Sequence, residues 1–219
     1  DDAAETITRY RDWAATAPDQ LSTALLLRRM PDAPEVPEQV RGQRVLVIKA
    51  MYAGDADAAE RLLQPLWSAA GPALAHELRP MQYAQAAMGG TAARYLDLFH
   101  YLPDRLIDAL VGEHARPDTP VENVEIRHWG GAMANPATDA GPVGHRDMPF
   151  SIIVDAVVPE LTQRLRPYGI GGSFLNFLGD TSRTATAYTA DNYQRLREVK
   201  ASYDPDNFFR IGHNIPPAR

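Results

Sequence analysis

Nine consecutive residues, Arg44 to Tyr52 (RVLVIKAMY), contain Val45, Val47 and Ile48 and offer no clean polar face. β-branched residues fit a pleated, half-buried surface, so this run predicts a strand with both faces at least half covered. Gly54-Asp55 then turns the chain, and Asp55 is placed to cap a helix carrying Leu62, Leu63, Leu66 and Trp67. Pro65 inside that pattern predicts a kink or break. A buried strand followed by a charged, Ala-rich helix points to layered α and β rather than a helical bundle.

The rest of the chain extends this scheme. Ile7, Tyr10, Trp13, Ala14 and Ala17 recur at helical spacing, giving an amphipathic helix over residues 3–16 that ends before Pro18. Residues 31–42 hold three prolines and form a loop. Residues 80–101 are ambiguous, with Gly89-Gly90 separating two weakly helical stretches. A helix is expected over 103–114. Glu122 to Trp129 alternates, with Val124, Ile126 and His128 on one face, and Phe150 to Val157 reads as another strand. Between these two strands lies a long loop, Gly130 to Pro149, of the kind on which function tends to sit. A short apolar strand, Ser173 to Leu178, and a helix from Asp191 to Ser202 precede a C-terminal run of turn formers.

Composition narrows the function classes. A net charge of −6 without basic clusters argues against a nucleic-acid partner or an anionic membrane surface. No apolar run approaches the roughly 20 residues needed to cross a bilayer. With no cysteine, disulfides, thiolate metal sites and a cysteinyl nucleophile are excluded within these residues. That leaves cytoplasmic and secreted locations open, with the cytoplasm preferred. Abundant Ala, Arg and Pro hint at a GC-rich bacterial gene. The sequence opens Asp1-Asp2-Ala3 without an initiator Met or signal peptide, as expected if something was removed upstream or if it starts part-way through a longer product.

Several motifs tempt and are set aside. Gly169-Ile170-Gly171-Gly172-Ser173 lacks the Lys-Ser or Lys-Thr of a phosphate loop and the spacing of a nucleophile elbow, so it reads as a turn. The six histidines form no pair at helical spacing and predict no metal site, although His128 and His145 lie in or beside the long loop. From pattern alone Trp129 and Phe174, on strand ends, read as core aromatics. Asn176 would need hydrogen-bond partners if buried, from backbone groups or from the edge of a flavin ring.

Phe174-Leu175-Asn176-Phe177, Asp180, Ala187-Tyr188, Asn192-Tyr193, Arg195-Leu196, Val199-Lys200, Tyr203, Asn207, Arg210 and Asn214-Ile215-Pro216 closely resemble the ending of one family. That family is the berberine-bridge-enzyme-like oxidases of the vanillyl-alcohol-oxidase flavoprotein superfamily. Arg9 to Trp13, Arg41-Gly42, Tyr52 to Asp55, Pro65-Leu66, Gly130-Gly131-Ala132 and His145-Arg146 agree more loosely in order and spacing.

The resemblance implies an α+β substrate domain, residues 1–168, built on a large antiparallel sheet flanked by helices. A C-terminal segment, residues 169–219, would return to an N-terminal FAD-binding domain or to a partner chain that supplies it. Most FAD contacts would then lie outside this sequence. The implied activity is FAD-dependent oxidation of an alcohol, sugar or natural product, with hydride passing to flavin N5 and electrons to oxygen. The alternative is a non-redox binding or scaffold protein of the same descent, and activity of these residues alone is not expected.

Asn176, Phe177 and Asn214 are the implied cofactor contacts; Phe174, Trp129, His128 and Asn135 are the implied substrate contacts. Two departures leave the catalytic residue unassigned. The family's first tyrosine is Phe174 here, and Ala134 and Asn135 stand where many members carry a carboxylate. Asp139 is the nearest carboxylate on the loop. A C-terminal segment without its partner surface would expose apolar area, which favours association, homo-oligomers included.

Overall fold

The computed structural model describes residues 3–86, 90–137 and 140–219. Five strands form one fully antiparallel sheet: β1 (Leu21–Arg29), β2 (Arg44–Tyr52), β3 (Tyr95–Phe99), β4 (Asn123–His128) and β5 (Phe150–Val154), in the order β2-β1-β4-β5-β3. Helices α1 (Ala3–Ala14), α2 (Ala56–Ala70), α3 (Asp104–Ala115) and α4 (Pro159–Leu165) belong with the sheet, and α5 (Ala190–Tyr203) with the C-terminal segment. This is the expected α+β architecture, an antiparallel sheet with flanking helices.

One face of the sheet packs on the helices. Leu25 and Leu27 of β1, Val124 and Ile126 of β4, and Phe150, Ile152 and Val154 of β5 meet Ile7 and Tyr10 of α1, Leu66 of α2, and Leu106, Ile107 and Leu110 of α3 in a single buried cluster. Tyr10 is fully buried, and its hydroxyl pairs with Thr23 Oγ1 at 2.9 Å, so even this deep polar atom has a partner. β2 is half buried throughout, as expected for the Arg44–Tyr52 run, because it is an edge strand.

Asp55 caps α2 as expected, accepting from the Asp57 and Ala58 amides at 3.0 and 3.2 Å. The break expected at Pro65 is absent. α2 runs through it, with Pro65 on the exposed side, where losing one backbone bond leaves no buried orphan.

Three elements go beyond the sequence reading and one corrects it. β1, β3 and α4 were not anticipated. The strand expected over Ser173 to Leu178 is instead a short 3-10 turn, Leu175–Phe177, flanked by extended residues. The chain leaves the sheet just before it: Phe99 bridges Gly169, the Ile170 amide donates to Leu98 O at 3.0 Å, and Ser173 then bonds Thr186 instead of a strand. Gly89, expected as a helix separator, lies outside the described residues.

Ile152 is fully buried at the centre of the helix-side core, whereas Val157 is 67% exposed. Ile152→Ala is therefore expected to lower unfolding free energy by about 2–5 kcal/mol. Val157→Ala should stay within about 0.5 kcal/mol. Denaturant unfolding of the two variants side by side checks this.

Candidate functional site

Strand alternation sends Glu125, Arg127 and then Trp129 to the side of the sheet opposite Val124 and Ile126. Ser151 pairs with Arg127 and with Leu98, and Ile153 with Glu125 and Leu96, so these residues share that second face. The long loop and the C-terminal segment cover part of it. Met148 and Met133 from the loop, and Phe174 and Phe177 from the C-terminal turn, pack with Leu96, Leu98 and Trp129 in an apolar cluster. Trp129 meets Phe174 edge to face, ring centroids 4.9 Å apart, and its indole N–H donates to Ser151 Oγ at 2.7 Å.

A charged pair sits beside this cluster. The Glu125 side chain is only 3% exposed, and its oxygens accept from Arg127 Nε at 2.6 Å and from the Thr91 amide at 2.9 Å. Burial works to raise the Glu125 carboxyl, but the hydrogen bonds from Arg127 and Thr91 outweigh it and hold the group below its usual range. Glu125 is therefore a fixed anion and a poor proton acceptor. The Arg127 guanidinium lies 5.1 Å from the Phe177 ring centroid and 5.8 Å from that of Trp129.

A second carboxylate positions the C-terminal segment. Asp97, buried on β3, accepts from the Leu98 and Gly171 amides at 2.7 and 2.8 Å. A Cβ on Gly169 would fall 2.2 Å from Asp97 Oδ2, and Gly171 has φ +71°, so the glycine run serves as the expected turn and seat. His145 and Arg146 also tie segments together: the His145 ring bonds Thr186 O at 2.9 Å and Arg146 donates to Met133 O at 3.2 Å.

Beyond the turn, Thr189 caps α5, and no residue of that helix is buried. Its Lys200 pairs with Asp204, whose carboxylate also accepts the Phe208 and Phe209 amides. That knot leaves Phe208, Phe209 and Ile211 exposed at 75%, 77% and 100%. Nearby in sequence, the Asn207 and Asn214 side-chain oxygens are buried acceptors without a hydrogen-bond donor. Such orphans cost free energy unless something outside these residues donates to them.

Of the residues expected at a site, the structure brings together Trp129, Phe174 and Phe177. His128 does not join them, because alternation turns it to the helix side, where its ring lies 5.7 Å from Phe150 and burial lowers its pKa. Asn135 is exposed on the loop and donates its side chain to Gly131 O at 3.2 Å. Asn176 is exposed on the 3-10 turn. Asp139 lies outside the described residues. Glu125, Arg127 and Ser151 were missed. The Glu-x-Arg spacing on one strand face was the available signal, since it puts opposite charges side by side.

Among the described residues, no group of His, Asp and Glu could hold a metal ion, and no helix is long and apolar enough to cross a membrane.

Residues 173–216 match the family described as berberine and berberine-like. An uncharacterized FAD-linked oxidoreductase of Bacillus subtilis, YvdP, is 40% identical over 65 residues, covering 29% of this chain and 14% of that protein. The fold is shared with a berberine-bridge-enzyme-like protein of Physcomitrella patens, at TM-score 0.70 and 15% identity, over 99% of this chain and 52% of that one. It is also shared with a berberine bridge enzyme variant solved with (S)-reticuline, at TM-score 0.71 and 14% identity, over 100% of this chain and 53% of the other. The chain thus spans about half the length of these solved structures. Relatives in plants as well as bacteria give no support to the bacterial hint in the composition.

Burial holds the Asp97 carboxyl above its usual value, outweighing the amides that favour its charged form. The unfolded carboxyl ionises first, at about pH 3.9. The stability tied to this group is therefore fully present below that pH and is lost as pH rises through the higher folded-state value. Asp97→Asn keeps an acceptor for Gly171 and should flatten this part of the stability-against-pH curve. Thermal unfolding between acid and neutral pH, native against variant, measures it.

Proposed function

We propose that this chain, whose residues 173–216 match the berberine and berberine-like family, is the substrate-domain portion of a FAD-dependent oxidase. Residues 1–168 would present the sheet to a small-molecule substrate, an alcohol, sugar or natural product. Residues 169–219 would return to a FAD-binding domain, in the same polypeptide or a partner chain, that holds most of the cofactor. The observation that carries this reading is the C-terminal segment. It pairs an uncovered apolar knot with the partnerless Asn207 and Asn214 oxygens.

Those residues fit a flavin nucleotide. Asn214 Oδ1 needs a donor, which a ribityl hydroxyl or a ring N–H provides, and Asn176 is exposed on the turn that carries Phe177. Bound FAD would supply the hydride acceptor. The chain's own part is to bind and orient: Trp129, Phe174 and Phe177 give flat apolar surface, and Glu125–Arg127 fixes charge beside it. Removal of the substrate proton has no assigned residue here. Phe174 has no hydroxyl, Asn135 has no carboxylate, and Glu125 is held as an anion with its hydrogen bonds already made. This favours a second reading, a non-redox binding protein of the same descent.

The two readings part on colour. The full-length natural protein, purified and supplied with FAD, should show flavin absorbance near stoichiometric occupancy and bleach anaerobically with a substrate. A full-length protein that stays colourless after reconstitution supports the non-redox reading. Asn214→Leu should weaken FAD binding by about 5- to 10-fold, the worth of one hydrogen bond, as read by flavin fluorescence titration.

The apolar knot gives a separate expectation. Residues 1–219 produced alone should self-associate, and the triple variant Phe208→Ser, Phe209→Ser, Ile211→Ser should reduce this in light scattering.

A further inference from the structure

Among the described residues, Arg127 uses only one of its five N–H donors. Its Nε donates to Glu125, which is itself fixed by the Thr91 amide. The rings of Phe177 and Trp129 lie within cation–π distance of the guanidinium carbon. A Cβ on Gly90 would fall 2.6 Å from Arg127 Nη2, so any larger residue there would have to displace the tip of the guanidinium. The side chain remains 22% exposed, and its terminal Nη1 and Nη2 groups make no hydrogen bond to any described residue.

We infer that Arg127 is the recognition residue for a carboxylate carried by the substrate, a conclusion that rests on the sheet face being the substrate side of the proposed oxidase. The terminal guanidinium nitrogens present a planar, two-donor edge that matches a carboxylate. Glu125 already neutralises the arginine, so a dianion such as a phosphate would meet a buried negative charge close behind it. A singly charged, planar anion suits the site. Trp129 and Phe177 beside it suit a flat apolar body attached to that anion, which makes a small aromatic acid the ligand class.

The test uses the FAD-loaded full-length protein with benzoate as probe and benzamide as its uncharged counterpart, both titrated by calorimetry. Benzoate should bind roughly 10- to 100-fold more tightly than benzamide, the usual worth of a charge-assisted pair. Arg127→Gln should abolish that preference while leaving benzamide affinity within about twofold. Arg127→Lys should retain only part of it, because an ammonium keeps the charge and loses the fork. Arg127→Gln alone strands the buried Glu125, so the double variant Glu125→Gln, Arg127→Gln repeats the measurement without that charge. Equal affinity for the two probes, no measurable benzoate binding, or a preference that survives in the double variant overturns the inference. Flavin absorbance of the same samples decides the oxidase reading separately: a colourless protein overturns that reading, and a yellow protein without the benzoate preference overturns only the role of Arg127.

Discussion

Strand β4 sends consecutive residues into two different environments, and the rest of the molecule is arranged around that division. Val124 and Ile126 enter the helix-side core, while Glu125 and Arg127 lie on the opposite face under the Gly90–Thr91 segment and the C-terminal turn. A one-residue slip against β1 or β5 would bury Arg127 among leucines and lift Val124 to the charged side. The helix-side core therefore does more than stabilise. By fixing the register of β4, it fixes where the charged pair stands relative to Trp129 and Phe177.

The covered second face explains why a charge can be buried there at all. A carboxylate taken out of water is tolerated when its hydrogen bonds are made and a counter-charge is near. Glu125 meets both conditions with one residue from its own strand and one amide from the segment crossing over it. Removing Arg127 would leave an uncompensated anion next to the apolar cluster, and losing the Thr91 amide would strip a hydrogen bond from its other oxygen, so the crossing segment and the strand hold each other in place. Asp97 differs: at the sheet edge its carboxyl accepts the Leu98 and Gly171 amides and seats the turn that releases the C-terminal segment, but burial there outweighs those bonds.

What the sequence disclosed follows from how each face is covered. β2, β4 and β5 were legible because β-branched residues or alternation mark them. β1 (LSTALLLRR) was not, since both of its faces are covered and its Ala and Leu residues carry no period of two. β3 hid behind Asp97 at its centre, a residue that ordinarily argues against a strand and is accommodated here by the Leu98 and Gly171 amides. The Ser173 to Leu178 run has strand composition, but the chain has already left the sheet edge, so no ladder is available to it. Trp129, Phe174 and Phe177 could be picked out as aromatics at element ends. Glu125 could not, because alternation alone places a charged residue opposite a core face in solvent, and only the overlying segment makes that face an interior.

The C-terminal segment reverses the usual relation between pattern and burial. α5 has an apolar stripe of Tyr193, Leu196, Val199 and Tyr203, yet none of its residues is buried, and the knot around Asp204 turns two phenylalanines outward. Lys200, Asp204 and the two accepted amides form an organised turn whose only apolar products face solvent. Folding energy spent on ordering a loop that buries nothing of its own makes physical sense when a surface elsewhere completes it. The orphaned oxygens of Asn207 and Asn214 point the same way, since each is an acceptor already stripped of water and awaiting a donor. Asn207 and Asn214 both fall within the stretch that matches the berberine and berberine-like family, so the proposed interface and cofactor would meet the chain at these residues.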